Sequence, residues 1–167
     1  MIQSPRCHFV PIIDRHFPEV IAMYGELDSN KYIRPIRELH PDKYVAFLQS
    51  KVKLHQSGEG FFWSVFNREH GFIGTANFNQ FASLNIEHVG IHLSRSIWGQ
   101  GFGKEIGEAL CRFAKSAGRS VVHAIIEEGN LASIRIFEGL GFRLHERKEI
   151  SGDDLRIYKL DLDAQVY

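Results

Sequence analysis

The sequence predicts a layered fold of the α+β or α/β class built on a mixed sheet. Two patterns carry that expectation. Three stretches rich in aromatic and β-branched residues, 61–66, 72–81 and 86–93, follow one another with only turn residues between them, as in an antiparallel meander. A glycine-rich turn then opens a helix that leads into a buried-strand pattern, which reads as one β–α–β crossover. The 167 residues are 44% apolar and show no repeat, low-complexity tract or linker, so residues 1–167 read as one domain with a core of its own.

The elements follow in order. Residues 7–13 (CHFVPII) form a short strand that Pro11 pushes to a sheet edge. Pro18 opens a helix with Val20, Ile21, Tyr24 and Leu27 at helical spacing. Residues 30–41 are irregular, punctuated by Pro35 and Pro41. Pro41-Asp42 starts a second helix with Tyr44, Val45, Leu48, Val52 and Leu54 on one stripe and Gly58 as its stop. The three meander strands come next, broken by turns at 67–71 and 83–85. The helix after the glycines carries Ile106, Ala109, Leu110, Phe113, Ala114 and Ala117 in register and ends at Gly118. A buried strand over 120–126, a short helix over 130–140, a strand from Gly141-Phe142, a turn at 151–153 and an alternating strand over 155–162 complete the chain.

Composition narrows the function. Twenty basic residues balance twenty acidic ones, which removes the electrostatic reason to expect a general nucleic-acid or membrane-surface partner. The two cysteines, Cys7 and Cys111, have no CxxC spacing, and Cys111 sits among apolar neighbours as a small hydrophobe. No signal-peptide pattern and no apolar run of about 20 residues is visible, so a cytoplasmic protein is expected. His88 and His92 share a strand face about 13 Å apart at about 3.3 Å per residue. They cannot chelate one ion, and no metal is expected.

The densest chemical signal is residues 91–104 (IHLSRSIWGQGFGK), where a strand ends, a glycine-rich turn follows and a helix begins. Unpaired N–H groups and the dipole of a helix N-terminus favour an anion, and glycines let backbone approach a phosphate. A glycine-rich turn without ligand is the alternative reading. The Walker A pattern fails at Trp98 and Glu105, and the dinucleotide fingerprint fails at Ile106, so neither NTP hydrolysis nor NAD chemistry is favoured.

The segment Trp98-Gly99-Gln100-Gly101-Phe102-Gly103 resembles the acyl-CoA signature [Q/R]-x-x-G-x-[G/A] of the GNAT N-acetyltransferases, with Trp98 at its first position. A second block, Asn130 to Phe142 (NLASIRIFEGLGF), is similar to N-x-x-[SA]-x-x-x-[YF]-x-x-x-G-F of that family. The two blocks stand in the family's order with one helix and one strand between them, and they resemble its RimJ/RimL-like branch most. The resemblance implies a strongly twisted mixed sheet with helices on both faces, and acetyl-CoA as co-substrate. It implies that backbone N–H groups of Gln100 to Lys104, spanning Gly101, Phe102 and Gly103, hold the pyrophosphate. Main-chain groups of Ile91 and Leu93 would hold the pantetheine arm and acetyl carbonyl in a gap between strand 86–93 and strand 120–126. Asn130 and Ser133 would approach the pantetheine and its sulfur. The resemblance also sets Phe137 among the cofactor-binding residues. Asn130 also fits a helix N-cap, and Phe137 also fits a core position.

Acetyl transfer needs a deprotonated amine, a polarised thioester carbonyl and a proton for the departing thiolate. The resemblance makes Glu87 the first candidate base: it lies eleven residues before Trp98, the offset at which some family members carry a base glutamate. Period-2 alternation sets it on the face of Val89, Ile91 and Leu93, where an apolar setting would raise its pKa; a solvated strand-end carboxylate is the other reading. His88 is held in reserve. Phenylalanine stands at 137 where many family members carry a tyrosine acid, so Ser133 or Tyr158 would face the sulfur. No cysteine is placed for an acyl-enzyme, which favours direct attack in a ternary complex. The acceptor implied by the resemblance is a protein or peptide N-terminal amine, shaped by the N-terminal helices and the 150–155 turn. A small amine such as an aminoglycoside, polyamine or amino sugar is the alternative, and a CoA-binding module without catalysis is a third. The family resemblance also implies pairing into a homodimer.

Overall fold

A computed structural model describes residues 1–164 of the chain. One seven-stranded mixed sheet forms its centre, with strand order β1-β2-β3-β4-β5-β7-β6. The strands are β1 (Cys7–Pro11), β2 (Phe61–Asn67), β3 (Gly71–Phe81), β4 (Ile86–Leu93), β5 (Val121–Glu127), β6 (Arg143–Ile150) and β7 (Asp153–Asp161). The helices are α1 (Phe17–Tyr24), α2 (Arg34–Arg37), α3 (Tyr44–Ser57), α4 (Phe102–Ser116) and α5 (Leu131–Gly139). The predicted meander is β2-β3-β4, each pair antiparallel, and β1 lies at the edge as Pro11 requires. The predicted crossover is β4-α4-β5, and these two strands run parallel.

Strand alternation sorts side chains to two cores. On one face Trp63, Val65, Val89, Ile91 and Leu93 pack with α4 and α5. On the other, Phe62 packs with Val20, Tyr24, Tyr44 and Leu48 of α1 and α3. The amphipathic stripe of α4 buries Ile106, Ala109, Leu110 and Ala114. Phe113 stands edge-on to Phe61 and Trp63, at 4.9 and 5.0 Å between ring centres, and fastens α4 to β2. The β6–β7 hairpin closes on Ser151-Gly152, both with positive φ (53° and 88°), the mark of a two-residue type I′ turn. The Asn67 carboxamide accepts the N–H groups of Glu69 and His70 and shapes the β2–β3 turn.

Three local expectations change. Leu27 is 71% exposed, because α1 stops at Tyr24 before reaching it. Val45 is 47% exposed, lying off the stripe made by Tyr44 and Leu48. The region expected to be irregular holds a short helix, α2, with Pro35 in its first turn, where the missing N–H costs nothing.

Candidate active site

The two halves of the sheet meet at one point. β4 and β5 pair only at His88 and His123, and past that point the strands no longer pair. The remaining length of β4 toward Leu93 and of β5 toward Glu127 therefore borders a wedge-shaped gap with unpaired backbone groups on its walls. A cleft of about 590 Å3 opens there, lined by His88, Gly90, Ile91 and His92 of β4, Ile125, Ile126 and Glu127 of β5, and Asn130, Ser133 and Phe137 at α5. The cleft extends between α2, α3 and the β6–β7 turn, through Tyr32, Arg34, Lys51, Ser151 and Asp153.

The glycine turn leads from β4 to α4. Gly99 and Gly101 take φ of +74° and +82°, and a Cβ on Gly99 would touch nothing within 4 Å. A Cβ on Gly101 would meet only the Arg6 guanidinium, at 3.5 Å. These two glycines make an open backbone cradle before the α4 N-terminus, whose first intrahelical bond runs from Glu105 N–H to Gly101 C=O. Gly103 has a different task. A Cβ there would collide with Ile136 Cδ1 of α5 at 2.6 Å, so this glycine seats α4 against α5 and over Leu93. Phe102 is buried, while Gln100 and Lys104 are exposed. The cradle fits a diphosphate: free N–H donors, no side chain in the way and a cation alongside.

That cation is Arg6, which sequence reading missed. Its guanidinium lies 4.2 Å from the Phe102 ring centre, donates to Gln100 O at 3.2 Å and pairs with Glu105 at 2.6 Å. Ser4 Oγ and Arg6 N–H also donate to Glu105, both at 2.7 Å. Burial opposes ionisation of Glu105, but these donors hold its carboxyl below the usual range. Nothing in one sequence couples residue 6 to residues 100–105; the contact exists because β1 brings the N-terminal segment across the sheet.

The other predicted residues fall into place unevenly. Trp98 is half-exposed and its indole N–H donates to Leu93 O at 3.0 Å. The Leu93 carbonyl is thereby engaged within the chain. Asn130 is the α5 N-cap, with Oδ1 accepting Ser133 N–H at 3.3 Å, and its amide still borders the cleft. Phe137 is 4% exposed, packed edge-on against Phe142, and touches the cleft from the core side. Ser133 lines the cleft from the first turn of α5.

Glu87 departs from expectation. It lies at the start of β4, outside the lining of the cleft, where Arg119 forks onto both carboxylate oxygens at 2.5 and 2.8 Å. The expected raised pKa is reversed: the Arg119 hydrogen bonds hold the Glu87 carboxyl below its ordinary value, against a smaller effect of burial. Alternation places Glu87 correctly, but the apolar cover of that face ends before reaching it. Tyr158, the second candidate acid, is buried and donates to Glu138 away from the cleft.

Two histidines form part of the cleft wall. His88 Nδ1 lies 3.0 Å from Asn79 O. A carbonyl only accepts, so Nδ1 carries the proton and Nε2 is the lone-pair nitrogen. Burial pushes His88 down to about 4, with Lys51 and His123 adding to it. His92 is committed elsewhere, with Nε2 2.7 Å from Ser29 Oγ and its ring stacked on Tyr24. The charged residues after α1, among them Glu26, Arg34 and Arg37, take separate partners. Arg37 pairs with Glu127 at 2.9 Å and Asp153 at 3.1 Å, and Arg34 pairs with Asp153 at 2.7 Å. These bonds clamp α2 to the ends of β5 and β7. Glu26 instead accepts Arg95 N–H at 2.7 Å.

Comparison with known proteins fits this geometry. Residues 6–143 match the acetyltransferase (GNAT) domain family. Over 85 residues the chain is 33% identical to uncharacterized protein MJ1062 of Methanocaldococcus jannaschii, a match that spans 48% of this chain and only 17% of that protein. Among solved structures it resembles RimL, a ribosomal L7/L12 alpha-N-protein acetyltransferase in complex with coenzyme A (TM-score 0.79, 20% identity, 98% and 99% of the two chains). It also resembles a GNAT-family acetyltransferase from Bacillus anthracis (TM-score 0.81, 17% identity, 97% and 98%). A third likeness is to the Salmonella typhimurium acetyl transferase that modifies the N-terminal serine of 50S ribosomal subunit protein L7/L12 (TM-score 0.77, 18% identity, 96% and 98%). At these identities the structural likeness is one of fold. With the family match over residues 6–143, a cradle of two open glycines and a sheet that splits beside it, the chain belongs to the GNAT acetyltransferase family.

Proposed function

We propose that this protein transfers an acetyl group from acetyl-CoA directly to a primary amine, and that the amine is the N-terminus of a protein or peptide. The observation that carries the transfer is the continuity of the cleft: it joins the β4–β5 gap, Ser133 and the space under α2 and α3 in one volume. A thioester in the gap and an amine from the opposite side would meet within it. The protein-terminus reading draws on RimL and the Salmonella enzyme, whose acceptor is an N-terminal serine.

Acetyl-CoA supplies the activated acyl carbon. The chain does the rest. The Gly99–Gly101 cradle, the α4 N-terminus and Arg6 hold the diphosphate. Unpaired backbone N–H groups of β4 polarise the carbonyl. His88 replaces Glu87 as the base. Its Nε2 is the available acceptor, and an amine nitrogen becomes far more acidic as its bond to the acyl carbon forms, so a weak base suffices at that moment. Ser133 Oγ donates to the departing sulfur; a thiolate of modest basicity needs little more. Neither buried cysteine borders the cleft, which supports direct attack over an acyl-enzyme.

The test is thiol release from acetyl-CoA over a panel of N-terminal peptides and small amines, with the acetylated product identified by mass spectrometry. Acceptor-dependent thiol release with acetyl on the α-amine of a peptide is the expected result. Transfer to small amines alone would overturn the peptide assignment, and no transfer to any amine would overturn the enzymatic reading.

A further inference from the structure

Among the described residues, one cation in the cleft has no neutralising partner. Lys51 projects from α3 into the lining. Its ammonium lies 4.8 Å from the centre of the Phe47 ring, and no carboxylate among the described residues lies within ion-pair distance of it. The other basic groups around the cleft are all occupied: Arg34 by Asp153 and Glu38, Arg37 by Glu127 and Asp153. Burial alone lowers the pKa of Lys51, and no acidic neighbour offsets it. A half-buried ammonium is costly to keep without a counter-charge.

The floor beside it is polar. Asn77 and Asn79 of β3 share a face with Gly90 and His88 of β4, their register partners, and all four line the cleft. Asn77 Nδ2 donates to Asn79 Oδ1 at 3.0 Å, which fixes the Asn79 amide with its N–H groups free of any partner among the described residues. The absence of a side chain at Gly90 makes room for Asn77, since a Cβ there would strike its Oδ1. Lys51 Nζ and Asn79 Nδ2 are donors, whereas His88 Nε2 in the same wall is an acceptor. The cleft thus offers an acceptor for an amine and, in the same wall, donors that include one unpaired ammonium for an anion.

We infer that the acceptor carries a carboxylate near its reactive amine, and that Lys51 with Asn79 is the subsite that selects it. The inference rests on the acetyl-transfer reading for the identity of the amine, but the carboxylate subsite can be tested by binding alone. A carboxylate has two sources, the acidic side chain of a peptide residue near the N-terminus or the carboxyl group of a small amino acid, and both present the same group to Lys51.

The experiment uses matched pairs: Ser-Asp against Ser-Asn peptides with otherwise identical sequence, and free amino acids against their amides. Binding is measured by calorimetry on the CoA-loaded protein, and transfer by thiol release, for wild type and for the Lys51→Met, Lys51→Glu and Lys51→Arg variants. Each variant is checked by its melting temperature and its affinity for acetyl-CoA. Wild type should prefer the carboxylate member of at least one pair by roughly ten- to a hundredfold, the worth of one charge-assisted bond. Lys51→Met should bring that ratio to about one, Lys51→Glu should invert it, and Lys51→Arg should retain most of it. A preference in the peptide pair assigns the subsite to an acidic side chain; a preference in the amino acid pair alone assigns it to a small acceptor. No preference in wild type, or an equal preference in Lys51→Met, overturns the inference. Selective binding without transfer would sustain the carboxylate subsite while overturning the transferase reading.

Discussion

Replacing Glu87 by glutamine separates two roles for a residue whose position alone suggests catalysis. Its carboxylate is forked by Arg119, with the two side chains 34% and 44% exposed. Solvent screens such a pair, so its worth is about 0.2–1 kcal/mol, and glutamine keeps one acceptor for Arg119. A loss of about 0.5 kcal/mol corresponds to roughly 2 °C in melting temperature for a chain of this size. Because the folded-state pKa is lowered, the contribution of this pair is present above the unfolded carboxyl value and fades as pH falls through the lower folded value. Wild type and Glu87→Gln should therefore converge in stability in acid. At neutral pH, kcat/KM for acetyl transfer should stay within about twofold, because Glu87 lies outside the cleft lining. The assay is thiol release from pH 6 to 9 beside thermal unfolding. A fall in kcat of two orders of magnitude, with loss of the acidic limb of the pH profile, would return Glu87 to the role of base.

Three further outcomes are expected. Ser133→Ala should lower kcat about tenfold while leaving acetyl-CoA affinity within about threefold, read by thiol release and calorimetry, because its hydroxyl borders the cleft and its N–H alone is used by Asn130. Gly103→Leu should destabilise the fold by about 1–3 kcal/mol in urea unfolding, since even a Cβ there collides with Ile136. The protein should lose stability as pH falls from 6.5 toward 4: His88 and His92 stay neutral in the folded state down to about 4 while their unfolded counterparts protonate near 6.5. Together, discounted for part-exposed rings, they should cost about 1–3 kcal/mol across that window, measurable as a fall in the urea midpoint. An unchanged midpoint would contradict the burial of these imidazoles.

Much of the fold was legible because each element carried a local signature. The meander, the β4-α4-β5 crossover and the β6–β7 hairpin follow from alternation, glycine placement and the Ser151-Gly152 turn. The insertion of β7 between β5 and β6 was not legible, because strand order depends on contacts distant in sequence. The site divided in the same way. Gly99 and Gly101 announce a backbone cradle by their spacing, and Gly103, in the same run, turns out to serve helix packing, which requires knowing that Ile136 lies above it. The alternation rule put Glu87 on the correct face but could not show that Arg119 waits at its end. Arg6 and Lys51 had no sequence signal: one reaches the cradle through β1 and the other through the docking of α3 over the sheet.

The proposed transfer requires the Gly99–Gly101 turn to seat the acetyl-CoA diphosphate. Calorimetric titration of acetyl-CoA into wild type and Gly101→Glu tests it most directly. A side chain at φ +82° costs about 1–2 kcal/mol of backbone strain, and the added carboxylate would stand where the diphosphate must lie, so each variant's melting temperature is recorded beside its titration. Wild type should bind saturably at one site, and a folded Gly101→Glu protein should bind at least about a hundredfold more weakly. Equal affinity in the two proteins would contradict this seating of the diphosphate.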